Sequence, residues 1–215
     1  MSDSHGHSHP HGQPHPFQPD IEDSALTHHQ LLELAVGELL TEKGIFTADE
    51  FRRVLEDIDS RNPADGAKVV ARAWVDPDFK ARLLKDTNAA AAELGVDAGT
   101  IPIVTMENGP DIHNVIVCTL CSCYPRLLLG LPPDWYKSRA YRSRVVKEPR
   151  KVLAEFGTDI ADDVEVRVHD STAELRYMVL PMRPNGTEGM SEEDLAKLVT
   201  RDCMVGVTLP DNPLR

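Results

Sequence analysis

The sequence predicts an α+β protein: an N-terminal helical arm, then a layered α/β domain whose antiparallel strands carry a cysteine-rich metal loop. Three observations lead there. Residues 24–95 hold a series of apolar stripes at helical spacing, each bounded by capping residues. From about residue 97 the pattern changes to short β-rich runs interleaved with further helices. Between two of these runs stand Cys118, Cys121 and Cys123, three of the four cysteines in the chain.

In order along the chain, residues 1–23 form a tail in which His5, His7, His9, His11 and His15 alternate with Gly, Ser and Pro. Such a composition cannot bury a core and predicts disorder, with divalent-metal sequestration as the alternative. Residues 24–96 are the expected helical arm. Leu31, Leu34, Ala35, Val36, Leu39 and Leu40 make a broad apolar face that Gly44 ends. Thr47-x-x-Glu50 is a capping box, followed by Phe51, Val54, Leu55 and Ile58 at i, i+3, i+4, i+7. Asn62-Pro63 predicts an N-cap and first turn for a helix bearing Ala67, Val70, Ala71 and Trp74. Asp76-Pro77 repeats the signal for a helix with Phe79, Leu83 and Leu84 inside and Gly95 at its end.

Residues 97–215 are the expected metal-binding domain. Ile101–Met106 and Asn114–Val117 read as strands leading to the cysteines. Pro149–Phe156 reads as a helix closed by Gly157. Val164, Val166 and Val168 alternate with polar residues as in a half-buried strand, Asp170-Ser171-Thr172 turns, and Leu175–Leu180 is the expected antiparallel return. Ser191-x-x-Asp194 caps a last helix reaching Leu198.

Composition excludes some functions. The formal charge of −12 argues against a nucleic-acid binder. No apolar run approaches the length that spans a bilayer, and residues 1–20 lack the apolar stretch of a signal peptide. A soluble cytoplasmic protein is the expectation, with its cysteines serving as thiols or ligands rather than disulfides.

The spacing C-x-x-C-x-C places three thiols on one tight loop. Tetrahedral zinc would need a fourth ligand, with His113 or Cys203 as candidates, and an iron–sulfur cluster would need Cys203. A claw fits the spacing better. If the loop's own amide nitrogens ionise and join the three thiolates, five anionic donors surround one ion and leave a sixth position open. Such a donor set suits low-spin cobalt(III) or iron(III), and the open position makes the ion a Lewis acid. Elsewhere, His28-His29 reads as solvated, since adjacent helical residues face different ways. Cys203 reads as a core thiol, and Asp170 and Glu174 as solvated charges flanking a turn.

The run Cys118-Thr119-Leu120-Cys121-Ser122-Cys123-Tyr124-Pro125, followed by Leu129-Gly-Leu-Pro-Pro-Asp-Trp-Tyr-Lys137, resembles the α subunit of nitrile hydratase. The resemblance extends from about Leu31 to Val207. It includes Asn62–Trp74, Glu107-Asn108, His113-Asn114, Ala140–Arg142, Val145–Arg150, Arg176-Tyr177 and Thr200–Asp202. It implies that the sulfurs of Cys118, Cys121 and Cys123 and the backbone nitrogens of Ser122 and Cys123 bind the metal. Cys121 would be oxidised to a sulfinic and Cys123 to a sulfenic acid. It further implies nitrile hydration, with Cys121, Ser122 and Cys123 at the catalytic centre. Thr119 matches the cobalt-type version, iron being the alternative. The implied partners are a β subunit that contributes two arginines, in a heterodimer or heterotetramer, and an activator protein that loads the metal. The metal-bearing subunit of thiocyanate hydrolase shares the motif, and a non-enzymatic metal-binding protein is a further alternative. Two departures from the family pattern stand out. Arg126 occupies a position where Trp is common, which suggests an interface cation or a changed substrate channel. Gly99-Thr100-Ile101-Pro102 stands roughly where many members have a Gln-containing run.

Overall fold

The computed structural model describes residues 25–212. The histidines expected to form a disordered tail lie outside them. The chain divides into two units, Met1–Phe51 and Arg52–Arg215.

In the first unit, α1 (His28–Glu42) starts at a capping box that Thr27 forms with Gln30. Gly44, with φ +66°, lets the chain turn away after it. None of its residues is buried, and Leu31, Leu34, Val36 and Leu39 are exposed. Phe46 stacks on Phe51 with ring centroids 5.5 Å apart. Helix α2 (Ala48–Ser60) begins at the expected box: Thr47 N donates to Glu50 Oε2 (2.7 Å) and Glu50 N to Thr47 Oγ1 (3.1 Å). It runs on into the second unit, and Val54 and Leu55 are exposed on it.

The remaining helices of the expected arm belong to the core of the second unit. Helix α3 (Ala64–Val75) buries Val69, Val70 and Ala71. It starts one residue late: Pro63 is the cap, and Asn62 Oδ1 accepts from Ala64 N at 2.9 Å. The single helix expected from Asp76 towards Gly95 is two, α4 (Pro77–Lys85) and α5 (Thr87–Glu93). Asp86 is extended and accepts from Ala89 N at 3.0 Å, so its carboxylate breaks one helix by capping the next. Leu83 is buried, but Leu84 lies on the outside.

Strands β1 (Ile103–Glu107) and β2 (Ile112–Val117) are separated by a tight turn, and helices α6 (Arg126–Leu129), α7 (Asp134–Lys137), α8 (Arg139–Arg144) and α9 (Pro149–Glu155) follow. Then come β3 (Glu165–Asp170), β4 (Arg176–Leu180), α10 (Glu192–Lys197) and α11 (Arg201–Val205). Ser191 caps α10 as expected, but α11 lies beyond it.

The expectation of antiparallel strands is wrong. Two two-stranded parallel sheets form: β1 pairs with β4, Ile103 opposite Arg176, and β2 pairs with β3, Ile112 opposite Glu165. The turn after Asp170 is real, but it carries the chain from one sheet to the other instead of folding it back on itself. The reason lies in β2. Its residues from His113 to Val117 are all buried, so it needs cover on both faces, which parallel pairing with helical crossovers supplies. The connection from β2 to β3 runs through α6–α9, long enough for a parallel return. Val115, Ile116, Val117, Leu128, Met178 and Met204 sit at the centre of the core.

A buried polar chain ties the strands together. His113 Nε2–H donates to Gly206 O (2.7 Å), and His113 Nδ1 accepts from Asn108 Nδ2 (3.3 Å). Asn108 Oδ1 accepts from Asn114 N (2.7 Å), and His169 Nε2–H donates to Asn114 Oδ1 (2.8 Å).

Candidate metal centre

Cys118 directly follows β2 and is fully buried. Both ends of its loop are held. Ser171 N donates to Val117 O at 2.7 Å on one side, and Tyr136 Oη donates to Cys123 O at 2.8 Å on the other. Tyr136 is itself fixed in a cluster with Tyr124, Trp135 and Tyr141. Tyr141 Oη reaches back to Ile116 O at 2.7 Å. The outer turn is held by Asp170, which accepts from Thr119 N at 2.8 Å and from Thr119 Oγ1 at 2.5 Å. Leu120, 89% exposed, forms the tip.

This frame brings the three expected sulfurs together. Their ligand atoms all lie within 4.8 Å of one another, the one such cluster of three or more among the described residues. Cys118 Sγ is 3.5 Å from Cys121 Sγ, which is 3.2 Å from Cys123 Sγ. Sulfurs bound about 2.3 Å from one centre stand ~3.3–3.8 Å apart, so separations of 3.2 and 3.5 Å suit binding to a single ion. Within the loop the Cys121 amide donates to Cys118 Sγ at 3.2 Å.

The thiols share their protons unequally. Hydrogen bonds from Cys123 and then Cys118, with the Ser122 amide, pull Cys121 down to about 7. Burial, followed by the bonds to Cys121 and Cys118, pushes Cys123 up to about 12. A metal ion bound there would displace the thiol protons.

Neither suggested fourth ligand belongs to the cluster. His113 is engaged at both ring nitrogens in the polar chain. Cys203 is buried, donates to Thr200 O at 3.0 Å, and is pushed by burial up to about 11. It is the core thiol the sequence suggested. His28 and His29 are exposed on α1. Sequence reasoning missed Asp170, read as a solvated turn charge. A carboxylate two residues beyond a half-buried Val carries no local sign of the distant loop it grips. Tyr136 and Arg176 were visible only as parts of longer motifs.

A cavity of ≈ 850 Å³ opens beside the loop. Cys121, Ser122 and Cys123 form one wall, and Gly99, Thr100 and Ile101 line it too. Arg126, Asp134, Lys137 and Arg176 are its charged lining residues.

Comparison with known proteins agrees with this geometry. Residues 27–208 match the family model described as nitrile hydratase, alpha chain. The low-molecular weight cobalt-containing nitrile hydratase subunit alpha of Rhodococcus rhodochrous is 52% identical over 181 residues, covering 83% of this chain and 87% of that one. The thiocyanate hydrolase subunit gamma of Thiobacillus thioparus is 42% identical over 193 residues, 84% of this chain and 79% of its own. Among solved structures, a recombinant thiocyanate hydrolase with partially modified cobalt centres superposes with a TM-score of 0.84. It is 41% identical, covering 88% of this chain and 93% of that one. With a family match across most of its length and the three cysteines gathered as the motif requires, the chain belongs to the nitrile hydratase alpha-chain family.

Proposed function

We propose that this chain is the metal-bearing subunit of a nitrile hydratase, adding water across a carbon–nitrogen triple bond to give the amide. The observation that carries this is the convergence of three sulfurs on one six-residue loop, in a chain of this family. The donors are the sulfurs of Cys118, Cys121 and Cys123 and the backbone nitrogens of Ser122 and Cys123. Cobalt(III) is the proposed ion, in preference to iron(III). Thr119 and the cobalt-containing relatives support it. Held there, the ion would supply Lewis-acid chemistry.

The chain's own residues do the rest. Cys118 stays a thiolate because burial keeps oxidants from it. Cys121 and Cys123, at the cavity wall, would be oxidised by dioxygen to the sulfinate and the sulfenate. The sulfenate oxygen of Cys123 would take a proton from the attacking water. Residues 97–215 act as the catalytic domain. The arm over 24–96 meets a β subunit through the exposed apolar side chains of α1 and α2. Two arginines of that subunit cover the oxidised sulfurs, an activator protein loads the metal, and the assembly works in the cytoplasm. Among the described residues no helix is long and apolar enough to cross a membrane.

The test is co-expression of this chain with its β subunit and activator in cobalt-containing medium. Amide formation from a simple nitrile is expected, with stoichiometric cobalt and three added oxygens on the cysteine peptide. Stoichiometric zinc with no added oxygen in the fully assembled complex would refute the assignment. Thiocyanate hydrolysis is the second possibility, favoured by the 42% identity to that enzyme's gamma subunit.

A further inference from the structure

The loop is gripped from behind by a side chain that does not reach the cavity. Tyr136 Oη donates to Cys123 O at 2.8 Å, across 13 residues of chain. The phenol has little freedom to retreat. Tyr136 is fully buried, and the rings of Tyr124, Tyr141 and Trp135 surround it at centroid distances of 5.0, 5.7 and 6.0 Å. Its short helix is tied at both ends, Tyr136 N donating to Pro133 O at 3.0 Å and Ser138 N to Trp135 O at 3.1 Å. Beyond Cys123, Arg126 N donates to Tyr124 O at 2.8 Å, so the chain that leaves the loop is held as well. Cys123 itself stands at the cavity wall, whereas Tyr136 is not among the residues that line the cavity.

We propose that Tyr136 is a positioning residue for the reaction: its hydroxyl fixes the peptide plane after Cys123 and, through it, the place of the Cys123 sulfur at the cavity wall. This deepens the nitrile-hydrating assignment of the same site and rests on it. The peptide unit is planar, so Cys123 Cα, C and O move as one body with Tyr124 N. A donor locked on Cys123 O therefore anchors Cys123 Cα, and the sulfur hangs two bonds from that atom. Reacting groups need placement to within about half an ångström, and an error of about 1 Å can slow a reaction by about a hundred-fold. Loss of the phenol hydroxyl would free the plane to turn and leave a carbonyl without its donor. Because Tyr136 does not line the cavity, the loss should be felt in the chemical step and not in substrate binding.

The experiment compares three assembled, cobalt-loaded complexes: the unaltered one, Tyr136→Phe and Thr158→Val. Thr158 Oγ1 donates to Val207 O at 2.8 Å, outside the metal loop. Thr158→Val thus removes a hydroxyl–carbonyl bond of the same length and reports the general effect of such a loss. Tyr136→Phe should keep stoichiometric cobalt, shift the sulfur-to-cobalt charge-transfer band, and lower kcat about ten-fold with KM changed less than about two-fold. Thr158→Val should move neither the band nor kcat. A Tyr136→Phe complex with the band and kcat of the unaltered one would overturn the proposal. So would a raised KM with kcat and band unchanged, or an equal loss of kcat in both variants with the band unmoved, which would make Tyr136 a contributor to stability alone. Should Tyr136→Phe fail to fold, Tyr136→3-fluorotyrosine takes its place, since it keeps the ring and the hydroxyl but is a stronger donor. A shifted band then supports the proposal and an unchanged band overturns it. If the unaltered complex hydrates no nitrile, the assignment of function fails, while the band still decides whether Tyr136 places the Cys123 sulfur.

Discussion

Asp170 accepts from both the backbone N–H and the hydroxyl of Thr119, at 2.8 and 2.5 Å, across 51 residues of chain. One carboxylate at the end of β3 thus orients the residue between the first two metal-binding cysteines. Asp170→Ala should leave the fold in place, since both groups are exposed, but let the loop open. Metal affinity should fall about ten-fold or more, as is usual when groups behind the ligands are removed. Asp170→Asn, which keeps one acceptor, should lose less. Cobalt content after dialysis against a chelator measures both.

The cysteines should separate cleanly. Alanine at Cys118, Cys121 or Cys123 should abolish stoichiometric metal binding. Cys203→Ala should keep the metal and lose roughly 1–3 kcal/mol of stability to the cavity it leaves. Elemental analysis with denaturant titration distinguishes the two classes. A Cys203 variant without metal, beside a Cys118 variant that retains it, would overturn the donor set.

Gly206 follows α11 at φ +89°, and a Cβ there would lie 2.0 Å from Asn114 O. That atom is backbone of buried β2 and cannot move aside. Gly206→Ala should cost more than about 4 kcal/mol, enough to prevent soluble expression. Gly157, at φ +79° with nothing within 4 Å of the same position, is the control. Gly157→Ala should cost only about 1–2 kcal/mol for the left-handed backbone.

Stability should decline in mild acid. Burial lowers the His113 pKa below its ordinary value, against the smaller opposing effect of its bond to Gly206 O. His169 is lowered by burial in the same direction. A second proton on His113 would also set an N–H against the amide nitrogen of Asn108. The unfolded chain takes up protons near pH ~6.5 and the folded chain does not. Stability is therefore full above that pH and is lost as pH falls toward the folded value, by at most about 1.4 kcal/mol per pH unit for each histidine. Denaturant titrations of wild type and His113→Gln at pH 7.5 and 5.5 check this. The variant should be weaker at pH 7.5 and show a shallower acid decline.

What could be read from the chain was local. Thr47 and Glu50, or Ser191 and Asp194, find each other within one helical turn, so their caps were legible as spacing. The sulfur cluster was legible for the same reason, since its three cysteines lie within six consecutive residues. Asp86 was harder, because the apolar helical patterns on either side mask a carboxylate that ends one helix and starts the next. The strand pairing lay beyond local pattern. Alternation in β3 and a turn at Asp170 suit a hairpin equally well, and only the burial of β2 on both faces decides for parallel partners. Tertiary structure alone joined Asp170 to Thr119 and set Arg126, Arg176 and Gly99 around one cavity. Those contacts depend on how the crossover helices return each strand, a free-energy balance over the whole core that no short window of sequence contains.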